Sequence, residues 1–199
     1  MIRCIVFDVG GVLIKSRMED VSERVGKELG IDKDLLWDFW KSHKGETTKG
    51  KLTFKNYCEA LDKKFRVKNS FDAYIKVYKK RQETELNEGG LELIKNLKKK
   101  YKVGLISVTV DAFAEMNRGI ELYSIFDVCA LSCEVGFSKS DTGLYKAFLE
   151  KSGLKPEECV AIDDRKEPLE LAKSLGFKTI LFDNNTQLKK DLKKLGVKT

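Results

Sequence analysis

Ile5-Val6-Phe7-Asp8-Val9-Gly10-Gly11-Val12-Leu13 places six apolar residues, one aspartate and two glycines in a single short stretch. A brief apolar, β-prone run closed by glycines predicts a buried strand that ends in a tight loop, with Asp8 at its carboxyl end. Similar runs recur at 103–107, 128–131, 159–162 and 178–182. Segments with apolar residues three and four apart precede or separate them at 91–100, 112–121, 144–152, 167–175 and 187–195. Strands that are apolar throughout and alternate with helices predict a parallel sheet covered on both faces, an α/β class with three layers.

The alternation is interrupted once. Between the first strand and residue 86 the pattern is helical, with amphipathic stretches at 21–29, 35–40, 54–65 and 71–81. Asp32 and Thr53 stand where N-caps belong, and 45–50 (Gly-Glu-Thr-Thr-Lys-Gly) reads as a polar loop. The expected organisation is a core made of 1–15 and 86–199, with a helical insertion at 16–85. An insertion after the first strand emerges at the carboxyl end of the sheet, where open α/β sheets bind ligands, so it is expected to act as a lid.

Composition narrows the function classes. Of 199 residues, 42% are apolar and 35% charged, with a formal charge of +7. The lysines are spread through amphipathic segments, and no basic stripe carries interleaved aromatics, which argues against nucleic acid as a partner. A positive protein attracts phosphorylated small molecules in any case. Cys4, Cys58, Cys129, Cys133 and Cys159 lack zinc-ligand spacing, and reduced thiols are the expectation. No stretch has the length of a membrane span. A cytoplasmic protein, monomeric or homodimeric, is expected.

Four pieces that carry chemistry stand at strand ends: Asp8 with Gly10-Gly11, Ser107 with Thr109, Lys139, and Asp163-Asp164. A parallel sheet would gather them. Each has a plain structural reading. Asp8 suits a turn. Ser107 suits a helix cap in competition with Asp111. Lys139 suits a solvated loop. One of Asp163-Asp164 suits an N-cap, worth about 0.5–2 kcal/mol. A cap explains one aspartate and not two. Paired carboxylates after a buried strand need a compensating charge, and oxygen ligands of this kind suit Mg2+. With a metal present, one of these three carboxylates can attack an electrophile.

Taken together these residues resemble the haloacid dehalogenase-like hydrolases. Ile5–Leu13 (I-V-F-D-V-G-G-V-L) is similar to that family's first motif, and Leu105-Ile106-Ser107 fits the second. Glu134–Asp141 (E-V-G-F-S-K-S-D) resembles the third, and Val160–Arg165 (V-A-I-D-D-R) the fourth. The resemblance implies a three-layer Rossmann-like parallel sheet with an inserted helical cap, and the stretch 40–61 is similar to caps of the sugar-phosphate phosphatase branch. It implies a magnesium-dependent phosphatase of a small phosphorylated metabolite. Asp8 would be the nucleophile that forms an aspartyl phosphate. Mg2+ would be held by Asp8, the Gly10 carbonyl and Asp164, with Asp163 nearby. Ser107, Val108, Lys139 and Gly11 would contact the phosphoryl group, with Ser107 and Lys139 counted as catalytic.

The resemblance has departures. Gly10 replaces the aspartate that usually protonates the leaving oxygen, a loss worth about 10²–10⁴ in rate. Leaving groups that need little protonation are then favoured, a sugar 1-phosphate, an aryl phosphate or an acyl phosphate, and a phosphomutase is disfavoured. Val108, Ser140 and Pro168 replace the common Asn, Pro and Asn. Two other readings stay open: a metal-free 2-haloacid dehalogenase using Asp8, and a catalytically weak binding module. For substrate recognition the insertion offers Trp37, Trp40, Phe54 and Tyr57, and Arg17, His43 and Lys49 as anion contacts.

Overall fold

The computed structural model describes residues 1–120 and 122–199. Five parallel strands, β1 (Cys4–Phe7), β2 (Lys102–Ser107), β3 (Val128–Leu131), β4 (Cys159–Asp163) and β5 (Lys178–Leu181), form one sheet in the order β3-β2-β1-β4-β5. β1 lies at the centre and is buried along its whole length. That burial is why its sequence is apolar without alternation.

The chain leaves β1 towards β2 and β3, then crosses over to β4 and β5. The order therefore reverses between β1 and β4, the position at which doubly wound sheets leave a crevice. Phe7 is in register with Ile162, and the Asp8 amide donates to the Ile162 carbonyl at 3.1 Å. Asp8 and Asp163 are thereby carried to the same edge.

Two separate cores cover the sheet. One face packs Ile5, Phe7, Val103, Leu105, Val160 and Ile162 against helix α5 (Glu88–Leu97) and helix α10 (Asn185–Lys194). The other packs Cys4, Val6, Ile106 and Ala161 against helix α8 (Thr142–Ser152) and helix α9 (Lys166–Ser174). No helix among the described residues is long and apolar enough to cross a membrane.

The insertion comprises helices α1 (Met18–Leu29), α2 (Lys33–Thr47), α3 (Phe54–Phe65) and α4 (Ser70–Thr84), which share a third core. Its centre is aromatic: Phe54 stacks on Tyr57 at 5.5 Å between centroids, and Tyr74 meets Phe54 edge-on at 5.1 Å. This cluster takes in Val110 and Phe113, at the start of helix α6 (Asp111–Gly119). Phe113 lies parallel to Tyr78 at 3.9 Å, so the insertion is docked on α6 through a shared ring stack. Lys49 also pairs with Asp141 at 2.9 Å, and Gly50 (φ 71°) lies so near the Cys133 carbonyl that a Cβ would collide with it.

Several sequence expectations need correction. The stretch 45–50 is not wholly loop. Helix α2 runs through Thr47, and the hydroxyls of Thr47 and Thr48 donate back to the carbonyls of His43 and Lys44. Ser107 caps nothing, since it completes β2, and the N-cap of α6 is Val110. Asp111 does not cap its own helix either. Its carboxylate accepts the Phe54 amide of α3 at 2.9 Å, tying core to insertion. The cap of α9 is Arg165, whose amide donates to Asp163, so neither aspartate of the pair is an N-cap. A four-residue helix α7 (Ser132–Val135), absent from the pattern, follows β3. The expected helix end at residue 121 lies outside the described residues.

Candidate active site

Asp8 leaves the end of β1 and is 7% exposed. Lys139 arrives from the loop before α8 and is 5% exposed, with its Nζ at 2.6 Å from Asp8 Oδ1 and at 2.6 Å from Asp163 Oδ2. The expected solvated-loop lysine is instead a buried bridge. Burial opposes its charge, but the two carboxylates outweigh that cost and hold its proton above the ordinary lysine value. Asp8 is pushed the other way. Burial raises its pKa, Lys139 counteracts, and the neighbouring Asp163 adds repulsion.

Asp164 completes the acidic group. Ligand oxygens of Asp8, Asp163 and Asp164 all lie within 4.8 Å of one another. One oxygen of Asp164, Oδ2, accepts from Arg17 Nε at 2.6 Å. The other, Oδ1, is buried without a hydrogen-bond partner. An orphaned buried carboxylate oxygen beside two further carboxylates, with a single lysine between them, is the donor set that a hard divalent cation fits. Gly11 (φ 80°) makes room for it, because a Cβ there would overlap the Asp164 carboxylate.

That last contact gives a specific expectation. Gly11→Ala must move Asp164 and also strain the backbone, at about 1–2 kcal/mol for a residue forced into the left-handed region. The affinity for a divalent cation held by this cluster should fall by roughly 10–100-fold, the usual consequence of displacing groups that orient ligands. Titration calorimetry with magnesium reads it, and an unchanged affinity would remove Asp164 from the site.

Asp8, Gly10, Ser107, Val108 and Asp164 line one cavity of about 290 Å³. The structure thus brings together most of the expected site residues. Gly11 does not line the cavity and touches Asp164 instead. Lys139 lies behind Asp8, facing a smaller void with Tyr145. From the insertion, Trp37, Trp40 and Arg17 reach the cavity. Phe54 and Tyr57 belong to the insertion's own core, His43 lies tilted against Phe39 at 4.2 Å between ring centroids, and Lys49 is engaged by Asp141.

The sequence reading missed Lys44, Tyr78, Arg81 and Asn117, all of which line the cavity. Asn117 is buried in a network, with Oδ1 accepting from Gln82 Nε2 at 2.7 Å and Nδ2 donating to Tyr123 Oη at 2.8 Å. Arg81 carried a legible signal. It falls three and seven residues after Tyr78 and Tyr74, on the stripe that α4 buries, where helical period calls for an apolar residue.

Comparison with known proteins agrees with this geometry. The model of the haloacid dehalogenase-like hydrolases matches residues 2–176. Bifunctional epoxide hydrolase 2 of Mus musculus is 26% identical over 219 residues, covering 98% of this chain and 39% of that protein. The chain therefore spans about two fifths of the length of that relative. A phosphorylated carbohydrates phosphatase of Thermotoga maritima is 30% identical over 183 residues, covering 88% of this chain and 82% of that protein. A haloacid dehalogenase-family enzyme of Bacteroides thetaiotaomicron, solved in complex with magnesium and inorganic phosphate, superposes with a TM-score of 0.74 at 22% identity, covering 94% of this chain and 99% of that one, and shares the fold. The chain belongs to the haloacid dehalogenase-like hydrolase family.

Proposed function

We propose that this hydrolase is a magnesium-dependent phosphatase of a small phosphorylated metabolite, with Asp8 as the nucleophile. One observation carries the reading: three clustered carboxylates, with one Asp164 oxygen buried and unpartnered, beside a single lysine that bridges Asp8 and Asp163. The phosphatase relative of Thermotoga maritima and the magnesium- and phosphate-bound structure support it.

Asp8, Asp164, Asp163 and the Gly10 carbonyl are the groups proposed to hold the ion. Magnesium, when bound, neutralises the carboxylates and the phosphoryl oxygens that gather there. Lys139 holds one Asp8 oxygen and favours the ionised form against the effect of burial, and the second oxygen attacks phosphorus. The bond from phosphorus to the leaving oxygen breaks as the bond to Asp8 forms. Ser107 donates to a phosphoryl oxygen, and Lys139 balances the developing charge. Gly10 offers no proton, so the leaving oxygen takes one from solvent, and water then cleaves the aspartyl phosphate. The four helices α1–α4 are proposed as the cap that excludes bulk water, with Trp37 and Trp40 shaping the substrate end.

The test is phosphate release from a panel of phosphorylated metabolites and one aryl phosphate, with and without magnesium. Magnesium-dependent release, fastest for aryl, acyl or anomeric phosphates, is expected. Absence of release from every member would sink the reading, and a halide-release assay would then examine the dehalogenase alternative.

The titration of Asp8 adds a pH expectation. Its folded pKa lies above the unfolded value, so its contribution to stability is complete below about pH 4 and is lost as pH rises through the folded value. At neutral pH the metal-free protein therefore bears a penalty that a cation relieves. The rise in Tm from magnesium should shrink as the pH is lowered from 7.5 towards the acid range, because protons compete for Asp8. Equal shifts across that range would contradict the assignment of Asp8 as a ligand.

A further inference from the structure

Among the described residues, Arg81 is a buried cation with no acidic partner. It is 5% exposed. Its Nε donates to Ser16 Oγ at 2.7 Å and its Nη2 to the Ser16 carbonyl, while its Cζ lies 5.2 Å from the Tyr78 ring centroid. No carboxylate pairs with it among the described residues. Each of its contacts among the described residues is with a neutral group, although it lines the cavity that also holds Asp8.

Its position is fixed from both ends. Ser16 sits on the segment joining β1 to α1, and Arg81 itself is in the last turn of α4, where the chain returns to the core. Gly10 leaves the approach to it open: a Cβ there would stand 3.7 Å from Arg81 Nη2. Both strands of the joint between insertion and core therefore hold the guanidinium against the cavity wall.

Burying a charge without a counter-charge is costly, and proteins normally pair it. The charge balance of the cavity indicates where the missing partner comes from. Four basic residues (Arg17, Lys44, Arg81 and Arg165) and three acidic ones (Asp8, Glu19 and Asp164) line it. Lys139 and Asp163, directly behind, cancel each other. One positive charge is left over. A divalent cation and a phosphoryl dianion neutralise one another, so the surplus survives loading of the phosphoryl site.

We infer that the substrate carries a second anionic group, a carboxylate or a second phosphate, that is received by the Arg81 guanidinium. This deepens the proposed function and rests on it for the phosphoryl end. The planar fork of arginine suits bidentate recognition of both anions. The cavity volume confines the substrate to a small, compact molecule.

The test is equilibrium binding of non-hydrolysable probes in the presence of magnesium: ethylphosphonate, 3-phosphonopropionate and propane-1,3-diphosphonate, by titration calorimetry. At least one of the doubly anionic probes should bind wild-type protein about tenfold or more tightly than ethylphosphonate, the scale of a hydrogen bond to a charged group. Which of the two binds more tightly distinguishes carboxylate from phosphate. In Arg81→Met the ratio should fall towards one, and in Arg81→Lys it should be partly kept. Circular dichroism and Tm confirm that each variant is folded, and Arg81→Lys alone decides should Arg81→Met fail to fold. A wild-type ratio near one, no binding of any probe, or a ratio undiminished in a folded Arg81 variant would overturn the inference. Failure of the phosphatase reading is separate: no phosphate release, with the binding ratio intact, would leave this site standing.

Discussion

Asp8→Asn is expected to lower magnesium-dependent phosphate release by about 10⁴-fold or more, the scale seen when a covalent nucleophile is removed. The substitution keeps the size of the side chain and takes away only the anionic oxygen. An amide at this position cannot form an acyl phosphate at a useful rate. Lys139 retains its 2.6 Å partner Asp163, so the fold should persist. The same variant should show no phosphoryl adduct when wild-type protein, quenched in acid during turnover, gains the mass of one. Phosphate release within tenfold of wild type, from protein free of contaminating phosphatase, would remove Asp8 from the nucleophile role. A quenched wild-type protein without the adduct would point to direct attack by water.

Lys139→Met is expected to affect stability and rate together. The lysine is the one cation within bonding distance of both Asp8 and Asp163 in that buried cluster. Without it two buried carboxylates face each other and a third, Asp164, lies close by. Removing one member of a buried ion pair costs about 3–5 kcal/mol, which for a chain of this length corresponds to a Tm loss of roughly 6–20 °C at 2–4 °C per kcal/mol. Two further signs identify the cause. Magnesium should recover more Tm in the variant than in wild type, because the ion then supplies the positive charge between Asp8 and Asp163 that Lys139 had provided. Acidification should narrow the difference from wild type, because protonating one carboxylate removes the repulsion. Phosphate release should fall by about 10²–10³ as the developing charge loses its partner. A metal-free variant within about two degrees of wild-type Tm would show that the bridge carries little stability.

The strand-end residues were legible because a parallel sheet imposes a simple geometry. An apolar run that ends in Asp8, and another that ends in Asp163-Asp164, must deliver these carboxylates to one edge if the strands are neighbours. They are, with Phe7 beside Ile162. The aromatic residues of the insertion were only half legible. Helical period marks Phe54, Tyr57, Trp37 and Trp40 as apolar-face residues, but not which surface each face meets. Phe54 and Tyr57 turn into the insertion's own core, whereas Trp40, also part of that core, and Trp37, packed against it, reach the cavity as well. Lys49, a plausible anion contact by its loop position, is occupied by Asp141 from the other part of the chain.

The sequence alone marked the alternation of strands and helices, the helical stretch between the first strand and residue 86, and the aspartates and serine that stand at strand ends, because these depend on local period and on residue type. Tertiary structure decided three things. It made the loop residue Lys139 a buried bridge and, among the described residues, left one Asp164 oxygen without a partner and drew Arg81 to the cavity wall without a counter-charge. Burial and charge balance depend on what other segments bring to the same few ångströms, and that is settled only when the insertion folds back onto the sheet.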